Sequence, residues 1–366
     1  MKRVGVFALL AMVFVGCVQD KVDDVLVKLD DPQKIFAAID MPENRVQLDE
    51  NQRTTWTEKD MVVVLNQEEF SLYQFDGKTG DRDGSFTKIG VGDTPSESYV
   101  FNGKSYAVYP YDTFYSYGFF PDGTPAIFSW VMDVQPYLED SYGLHANIML
   151  GESEDGWNYR FQNLLGYLCL NLTGEKSVRS IKLISNNSEY IHGLLYYAVT
   201  DVNAWAWYAN VGTSITLDCG EGVQLSQTPT KFYFTMPTVT LSGGFTIEVN
   251  FTDGTNFVKQ TTNSLTINRN TIHSMKALST IVDESSIRRA YIYHSGSTIY
   301  TPYINTDAGG RVYWGDGAYS MYSSVGSFYD YTDSKPSHVI TIEAENTNEL
   351  IIYNCQGISK IDLSNF

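Results

Sequence analysis

Residues 245–252, with the sequence Phe-Thr-Ile-Glu-Val-Asn-Phe-Thr, alternate strictly between apolar and polar side chains. In an extended chain every second side chain points the same way, so the apolar residues from Phe245 to Phe251 share one face and the polar residues share the other. Asp253-Gly254 follows, a dipeptide that tight hairpin turns favour. The stretch therefore predicts a strand of an antiparallel hairpin, with one buried face and one wet face.

Extended runs of the same kind recur along the chain. They are residues 61–65, 70–75, 105–111, 168–172, 180–184, 231–236 and 264–267. Asp-Gly or Asn-Gly pairs, which favour turns, separate several of them at 76–77, 83–84, 102–103, 122–123 and 155–156. Short strands at this spacing predict an all-β chain built of tandem antiparallel β-sandwiches.

Two polar, turn-rich breaks divide the chain into three blocks. The first block runs from 24 to 153 and the second from 157 to 281. Val282-Asp-Glu-Ser-Ser286 then joins the second block to a third, at 286–366. Each block has the size of an ordinary domain, and we predict that the third is a small, separate β-sandwich.

The composition excludes several classes of function. The chain carries 43 Asp and Glu against 25 Lys and Arg, a formal net charge of -18. Nucleic-acid binding needs clustered Lys and Arg that contact phosphates, so nucleic acid is excluded as a partner. The five His are scattered, and the sequence has no HExxH, P-loop or GxSxG motif. We therefore expect no catalytic residue, no metal site and no cofactor.

The N-terminus has the pattern of an export signal. Met1-Lys-Arg is followed by an apolar run at 4–15, which is too short to span a bilayer as a mature helix. Phe14-Val-Gly-Cys17 resembles a lipobox, the bacterial signal at which a cysteine is lipidated. This predicts a signal peptide at 1–16, a lipid on Cys17 and an acidic tether at 17–23. The alternative is an ordinary secretion signal with an incidental cysteine.

Three cysteines remain besides Cys17, namely Cys169, Cys219 and Cys355. Their spacing matches no metal site. A disulfide between Cys169 and Cys219 and buried free thiols are both compatible with the sequence.

Aromatic residues supply the candidate ligand-binding surface. Trp205-Ala-Trp207 puts two indoles on one face of a strand, and Tyr319 and Tyr322 belong to a dense aromatic segment near the end of the chain. Exposed rings at such spacing can stack on sugar rings, so these four residues are candidates for a sugar-binding surface. The alternative is that the tryptophans fill a core, where large aromatics contribute the most burial.

Four stretches of the chain, taken in order, together resemble the sequences of one protein family. They are Arg53-Thr-Thr-Trp-Thr-Glu-Lys-Asp60, Tyr106-Ala-Val-Tyr-Pro-Tyr111, Phe161-Gln-Asn-Leu-Leu-Gly-Tyr-Leu168 with the run at 178–184, and Phe234-Thr-Met-Pro237 before the hairpin at 245–254. Together they resemble the fimbrillin (Mfa-like) family of Bacteroidetes lipoproteins, the subunits of type V pili. The resemblance covers 24–278 and implies two transthyretin-like β-sandwiches, an outer-membrane location exposed at the cell surface, and no enzymatic activity. Trp314-Gly-Asp-Gly317 makes the third block similar to a PKD-like sandwich.

The resemblance also implies a mechanism of assembly. In that family an early strand is removed by proteolysis after Arg or Lys, and a strand of another pilin subunit fills the groove. Applied to this chain, it implies cleavage at Arg45 or Arg53 and a displaceable strand whose inward residues are Ile35, Ala37 and Ile39.

The implied partners are other pilin subunits, the outer membrane through the lipid anchor, and a host or bacterial surface glycan or protein. The appended third block favours a tip or accessory subunit in adhesion. Three alternatives stay open: the first strand is never removed, the chain is a glycan-binding surface lipoprotein that never polymerises, or the chain is an envelope hydrolase.

Overall fold

The computed structural model describes residues 33–39, 54–65, 70–91, 103–281, 287–300, 302–306, 310–321, 328–345, 347–352 and 356–366. Within these ranges every regular element is a strand, apart from the 3-10 turn Tyr111–Thr113. The prediction of an all-β chain is therefore confirmed. No helix in these ranges is long and apolar enough to cross a membrane.

The first part of the chain contributes ten strands. In chain order they are β1 (Lys34–Ile39), β2 (Met61–Leu65), β3 (Phe70–Phe75), β4 (Asp83–Val91), β5 (Ser105–Tyr109), β6 (Phe114–Phe119), β7 (Pro125–Val131), β8 (Val134–Pro136), β9 (Met149–Ser153) and β10 (Asn158–Asn163).

Seven of these strands form one closed sheet, in the order β1-β10-β9-β5-β2-β3-β4. Every neighbouring pair is antiparallel except β1 and β10, which are parallel. An odd number of strands cannot alternate in direction all the way round a closed sheet, so one parallel pair is unavoidable. Aromatic and aliphatic side chains fill the interior: Ile35, Ala37, Ile39, Trp56, Val62, Val64, Tyr73, Phe75, Phe86, Ala107, Tyr109, Met149, Tyr159 and Phe161.

The closed sheet crosses the predicted boundary between the first and second blocks. β9 and β10 form a hairpin on either side of that boundary. Asp155 holds the turn, because its Oδ1 accepts the backbone N–H groups of Trp157 and Asn158, both at 2.8 Å. The polar residues at 152–155 are therefore a hairpin tip, and the closed sheet extends to Asn163.

Twelve further strands follow. They are β11 (Gly166–Thr173), β12 (Ser177–Ser185), β13 (His192–Ala198), β14 (Trp205–Gly212), β15 (Ser214–Gln224), β16 (Thr230–Met236), β17 (Val239–Leu241), β18 (Phe245–Phe251), β19 (Asn256–Thr261), β20 (Leu265–Ile267), β21 (Ile272–Ser274) and β22 (Leu278–Ser279).

A four-stranded sheet, β14-β13-β7-β6, combines strands from both predicted blocks. Its inner face packs against the closed sheet in a second core. That core includes Val63, Leu65, Val108 and Leu150 from the closed sheet and Ile127, Val131, Leu195 and Tyr197 from the four-stranded sheet. The first and second blocks are therefore joined by strand pairing and by a shared core.

Two sheets enclose the largest core of the second block. One has the order β19-β18-β12-β15-β8, and the other has the order β16-β11-β21, with β22 also paired to β11. The stretch Phe245–Phe251 is β18, and its apolar residues belong to this core. It forms the predicted hairpin with β19, and Gly254 in the turn has a φ of 82°, which favours glycine. β17 and β20, which lie in the same part of the chain, pair with each other in a separate two-stranded sheet.

The third block contains the last nine strands. They are β23 (Ile287–His294), β24 (Thr298–Tyr300), β25 (Tyr303–Thr306), β26 (Gly310–Tyr313), β27 (Tyr319–Met321), β28 (Phe328–Asp330), β29 (His338–Glu345), β30 (Thr347–Ile351) and β31 (Ile358–Asn365).

The third block has its own core around Trp314, Ile292 and Ile340. The sheet β27-β26-β29-β23-β31 lies on one side of this core, and Ile299 of the separate pair β24-β28 also belongs to it. Polar contacts join it to the second block. The Tyr319 hydroxyl donates to Glu248 Oε1 at 3.2 Å, and Arg311 Nη1 donates to Asn256 Oδ1 at 3.5 Å.

Candidate strand-addition site

The first strand closes the seven-stranded sheet. β1 lies between β4 and β10, neither of which adjoins it in sequence. On the β10 side, the Phe36 N–H donates to the Trp157 carbonyl at 2.8 Å. On the β4 side, the Ile39 N–H donates to the Arg82 carbonyl at 3.0 Å. Removal of β1 would leave main-chain groups of two strands unpaired, and a new strand can fill such an opening.

The inward side chains of β1 are Ile35, Ala37 and Ile39, and all three are buried. They belong to the interior of the closed sheet, together with Trp56 and Phe161. Full burial of one isoleucine side chain contributes about 1.5–3 kcal/mol, so the inward row stabilises the closed sheet by about 5 kcal/mol. The apolar row is therefore the main energetic contribution of the strand.

The middle of this row is narrow. Ala37 lies opposite Gly84 of β4 and Tyr159 of β10. Gly84 is itself closely packed, because a Cβ added there would lie 2.8 Å from Phe75 Cε2. A strand that occupies this position therefore needs a small central side chain between two larger apolar ones.

The outward side of β1 contributes little. Phe36 and Ala38 are half-buried, and Lys34 Nζ forms an ion pair with Asp76 at 3.4 Å on the surface. Exposed ion pairs contribute about 0–1 kcal/mol. Affinity for β1 therefore comes from the main chain and from the inward row.

A buried carboxyl group, Asp60, holds the loop that carries Trp56. Its Oδ2 accepts the Thr57 N–H at 2.7 Å, and its Oδ1 accepts the Tyr109 hydroxyl at 3.2 Å. Burial raises the pKa of Asp60 above its ordinary value and raises the pKa of the Tyr109 hydroxyl well above its own. Trp56 then meets the edges of three neighbouring rings at centroid distances of 5.0, 5.4 and 5.2 Å, and so forms a rigid wall of the interior.

The first two residues of β4, a neighbour of β1, differ from the sequence prediction. Asp83-Gly84, predicted as a turn, instead begins β4 and pairs with Ala38 and Ala37. The signal that could have found it is the extended run at 85–91, whose Phe86 is buried in the same interior as β1.

Several predicted residues lie outside the described part of the chain. They are Cys17, Arg45, Arg53, Tyr322 and Cys355. Lipidation at Cys17 and cleavage at Arg45 or Arg53 therefore stay predictions.

The predicted sugar-binding residues do not form one flat surface. Trp205 and Trp207 lie on the inner face of β14, half-buried against the second core. Their rings are perpendicular, with an interplanar angle of 87° and a centroid distance of 5.5 Å. Tyr319 lies in a different sheet, where its hydroxyl donates to Glu248.

The two cysteines in the described residues are buried. Cys169 and Cys219 are buried free thiols, and burial raises the pKa of Cys219 to about 12. A thiol of this kind is a poor nucleophile. No three His, Cys, Asp or Glu side chains in the described ranges lie close enough together to hold a metal ion.

No protein-family model and no curated protein sequence matches the chain. Solved structures are similar to it at low identity. A candidate cell-adhesion protein from Bacteroides ovatus has 12% identity and a TM-score of 0.42, over 69% of this chain and 93% of that one. One from Bacteroides uniformis has 12% identity and a TM-score of 0.37, over 67% and 92%. A fimbrial protein from Bacteroides ovatus has 10% identity and a TM-score of 0.25, over 68% and 50%. At these values the similarity assigns neither a family nor a function.

Proposed function

We propose that this chain is a surface-exposed, fimbrillin-like lipoprotein that acts in adhesion as the tip or an accessory subunit of a pilus. It is anchored in the outer membrane through a lipid on Cys17, and it joins other pilin subunits by exchange of its first strand. It has no catalytic activity and needs no cofactor.

One observation carries this proposal, namely the position of β1 in the closed sheet. The strand comes first among the described elements, and residues 40–53 separate it from the next described segment. It is held on both sides by main-chain pairing and beneath by Ile35, Ala37 and Ile39. A strand of another subunit with the same apolar alternation could make equivalent contacts.

The wider architecture supports the same proposal. We propose that the closed sheet with its four-stranded layer, and the two sheets of the second block, correspond to the two transthyretin-like domains of the family. The third block has a core of its own, around Trp314. A separate domain at this position suits a terminal or accessory subunit, because it could engage a ligand beyond the fibre.

Arg-specific digestion followed by thermal melting tests the exchange step. Cleavage at Arg45 or Arg53 should allow β1 to leave, and the melting temperature should fall because the interior around Trp56 opens. A peptide with the sequence of residues 33–39 should restore the melting temperature by mass action.

Two controls test whether the recovery needs the apolar row and whether the loss of stability needs the cleavage. The same peptide with Ile35→Asp and Ile39→Asp should give no recovery, because it would bury two carboxylates. The double variant Arg45→Gln with Arg53→Gln should resist digestion and keep its melting temperature. Complete cleavage with an unchanged melting temperature would show that β1 does not stabilise the fold, and the exchange model would fail.

A further inference from the structure

Six aromatic side chains lie on the outer face of the sheet β14-β13-β7-β6 or directly beside it. They are Tyr115, Phe120, Phe128, Trp130, Tyr196 and Tyr208, which we call the outer aromatic face. None of them belongs to any of the four cores. Tyr115 and Tyr208 are 58% and 62% exposed. Large aromatic groups are thus left at the surface on the side opposite Trp205 and Trp207.

The rings of this face support one another. Phe128 and Tyr196 are nearly parallel, at 21° and 5.3 Å between centroids. Tyr208 is perpendicular to Phe128 at 5.0 Å, and Phe120 lies 4.5 Å from Tyr196. Tyr115 meets Trp130 edge-on at 6.1 Å. These contacts fix the ring directions without placing the rings in a core.

Small residues flank the central pair. Gly118 lies beside Phe128, where an added Cβ would be 3.1 Å from the Phe128 ring. On the other side, Ala206 pairs with Tyr196. The Phe128 ring therefore lies over Gly118, and neither Gly118 nor Ala206 carries a large side chain that would cover the pair.

The face is uncharged, although the chain has a net charge of -18. Its other outward positions carry the half-buried His192 at the start of β13 and otherwise small or apolar residues: Ser116, Gly118, Ala126, Leu194, Ala198 and Ala206. A charged ligand would find no partner on such a surface. Protein–protein interfaces also favour aromatic residues, but they combine them with Met and Arg, which do not occur at these positions.

A neutral carbohydrate fits this chemistry. The negative faces of aromatic rings attract the C–H groups of a sugar ring, and tyrosine combines such a ring with a hydroxyl that can bind sugar hydroxyls. Tyr115, Tyr196 and Tyr208 supply three such hydroxyls. The inner face of the same strands packs on the second core, so the ligand-facing rings stand on a rigid support.

We propose that the outer aromatic face binds a neutral glycan chain. This inference rests on the proposed adhesive function and names the class of ligand that the adhesin recognises.

Binding of the full mature chain to immobilised yeast mannan, dextran and desialylated mucin glycans tests the proposal. The unmodified chain should bind at least one of these probes. Tyr208→Ala and Tyr115→Ala remove exposed rings, so the fold should persist, and the double variant should lose about tenfold or more in affinity. Tyr190→Ala is the matched control, because Tyr190 is also half exposed (50%) but lies outside the face. Thermal melting of each variant confirms that it is folded.

Three outcomes would overturn the proposal: a folded double variant that binds as well as the unmodified chain, a chain that binds none of the three probes, or binding to a deglycosylated protein that Tyr208→Ala abolishes. The last would identify a protein partner instead. Strand exchange is measured separately with the peptide of residues 33–39. A failure here with intact exchange therefore removes only the ligand class, whereas loss of exchange leaves the glycan result standing.

Discussion

Ala37 sets the size limit of the inward row of β1. It is fully buried and lies between Gly84 and Tyr159. We expect Ala37→Leu to lower the free energy of unfolding by about 1–3 kcal/mol, because added methylene groups in a packed interior force neighbouring groups to move. Urea denaturation measures the difference.

Ala38→Leu is the matched control, because Ala38 lies on the outward side of the same strand. It should change the free energy of unfolding by less than about 0.5 kcal/mol, the usual limit for surface substitutions. Equal losses for the two variants would show that the inward row is not selective for size.

We expect His294 to make the stability of the third block depend on pH. It is buried on β23, opposite His338 of β29, and lies near the Tyr331 ring at 5.9 Å. Its Nδ1 has no hydrogen-bond partner among the described residues. Burial lowers the pKa of His294 below its ordinary value of 6.5, and the nearby His338 lowers it further, while a backbone hydrogen bond at Gln356 opposes the shift.

The direction in which stability changes with pH follows from proton binding. Below pH 6.5 the unfolded chain takes up a proton at His294 more readily than the folded chain does. Stability is therefore complete above pH 6.5 and falls as the pH decreases from there toward the folded-state pKa. The transition of the third block should melt at a lower temperature at pH 5.5 than at pH 7.5.

His294→Phe should weaken this dependence, because phenylalanine keeps a ring beside Tyr331 but has no titrating nitrogen. His273→Gln, on the exposed side of β21, is the control and should leave the dependence unchanged. Asp333 adds a separate effect at lower pH, because its hydrogen bond with His338 lowers the pKa of the carboxyl group. An identical dependence in His294→Phe would assign the pH response to other groups.

At the level of the elements, β10 decides where the closed sheet ends. It holds β1 on one side and β9 on the other. A fragment of residues 24–153 lacks it, together with β13 and β14, so we expect that fragment to lack a cooperative thermal transition.

Residues 24–281 form the matched fragment, because they include every strand of the closed sheet and of the four-stranded sheet. This fragment should melt cooperatively, with the circular dichroism of β structure. A cooperative transition in residues 24–153 alone would restore the boundary that the sequence indicated.

The elements also show which parts of the fold sequence reasoning can reach. β18 was predicted because its alternation and its Asp253-Gly254 turn are local properties of the chain. The pairing of β10 with β1 was not predicted, because a hairpin tip and a linker share the same polar residues and the pairing spans more than a hundred residues. Local patterns do not encode such distant partners.

For the candidate sites too, local patterns were predictable and distant packing was not. The alternation in Trp205-Ala-Trp207 predicts two indoles on one face of a strand, and both lie on the inner face of β14. It does not tell which face meets a core, because that depends on the closed sheet packed beneath β14. The inward residues Ile35, Ala37 and Ile39 needed only the two-residue period, and the structure buries all three.

At the scale of the whole molecule, the third block is joined to the rest by polar contacts. The hydrogen bond from Tyr319 to Glu248 is partly buried, the one from Arg311 to Asn256 is exposed, and the block has a core of its own. We expect a chain that ends at 285 to keep the melting transition of the first two blocks, and circular dichroism during heating measures this. An insoluble or molten product would show that the block is integral to the second.

In the strand-exchange model the position of β1 can be vacated and refilled, and a reversible disulfide between β1 and β4 tests this. Phe36 and Ser85 are opposite each other on β1 and β4. The Phe36 N–H points to Trp157 and the Ser85 carbonyl to Asp76, so the two residues form a non-hydrogen-bonded pair. Such pairs have Cα atoms about 4.5 Å apart, within the range of a disulfide. Phe36→Cys with Ser85→Cys should therefore lock β1 in place.

The measurement is the fluorescence anisotropy of a labelled peptide of residues 33–39, added to Arg-digested protein. The unmodified protein and the Phe36→Cys single variant should bind the peptide after digestion. The double variant should bind it only after a reductant opens the disulfide. Equal binding with the disulfide closed and open, or no binding by the digested unmodified protein, would contradict strand exchange at β1.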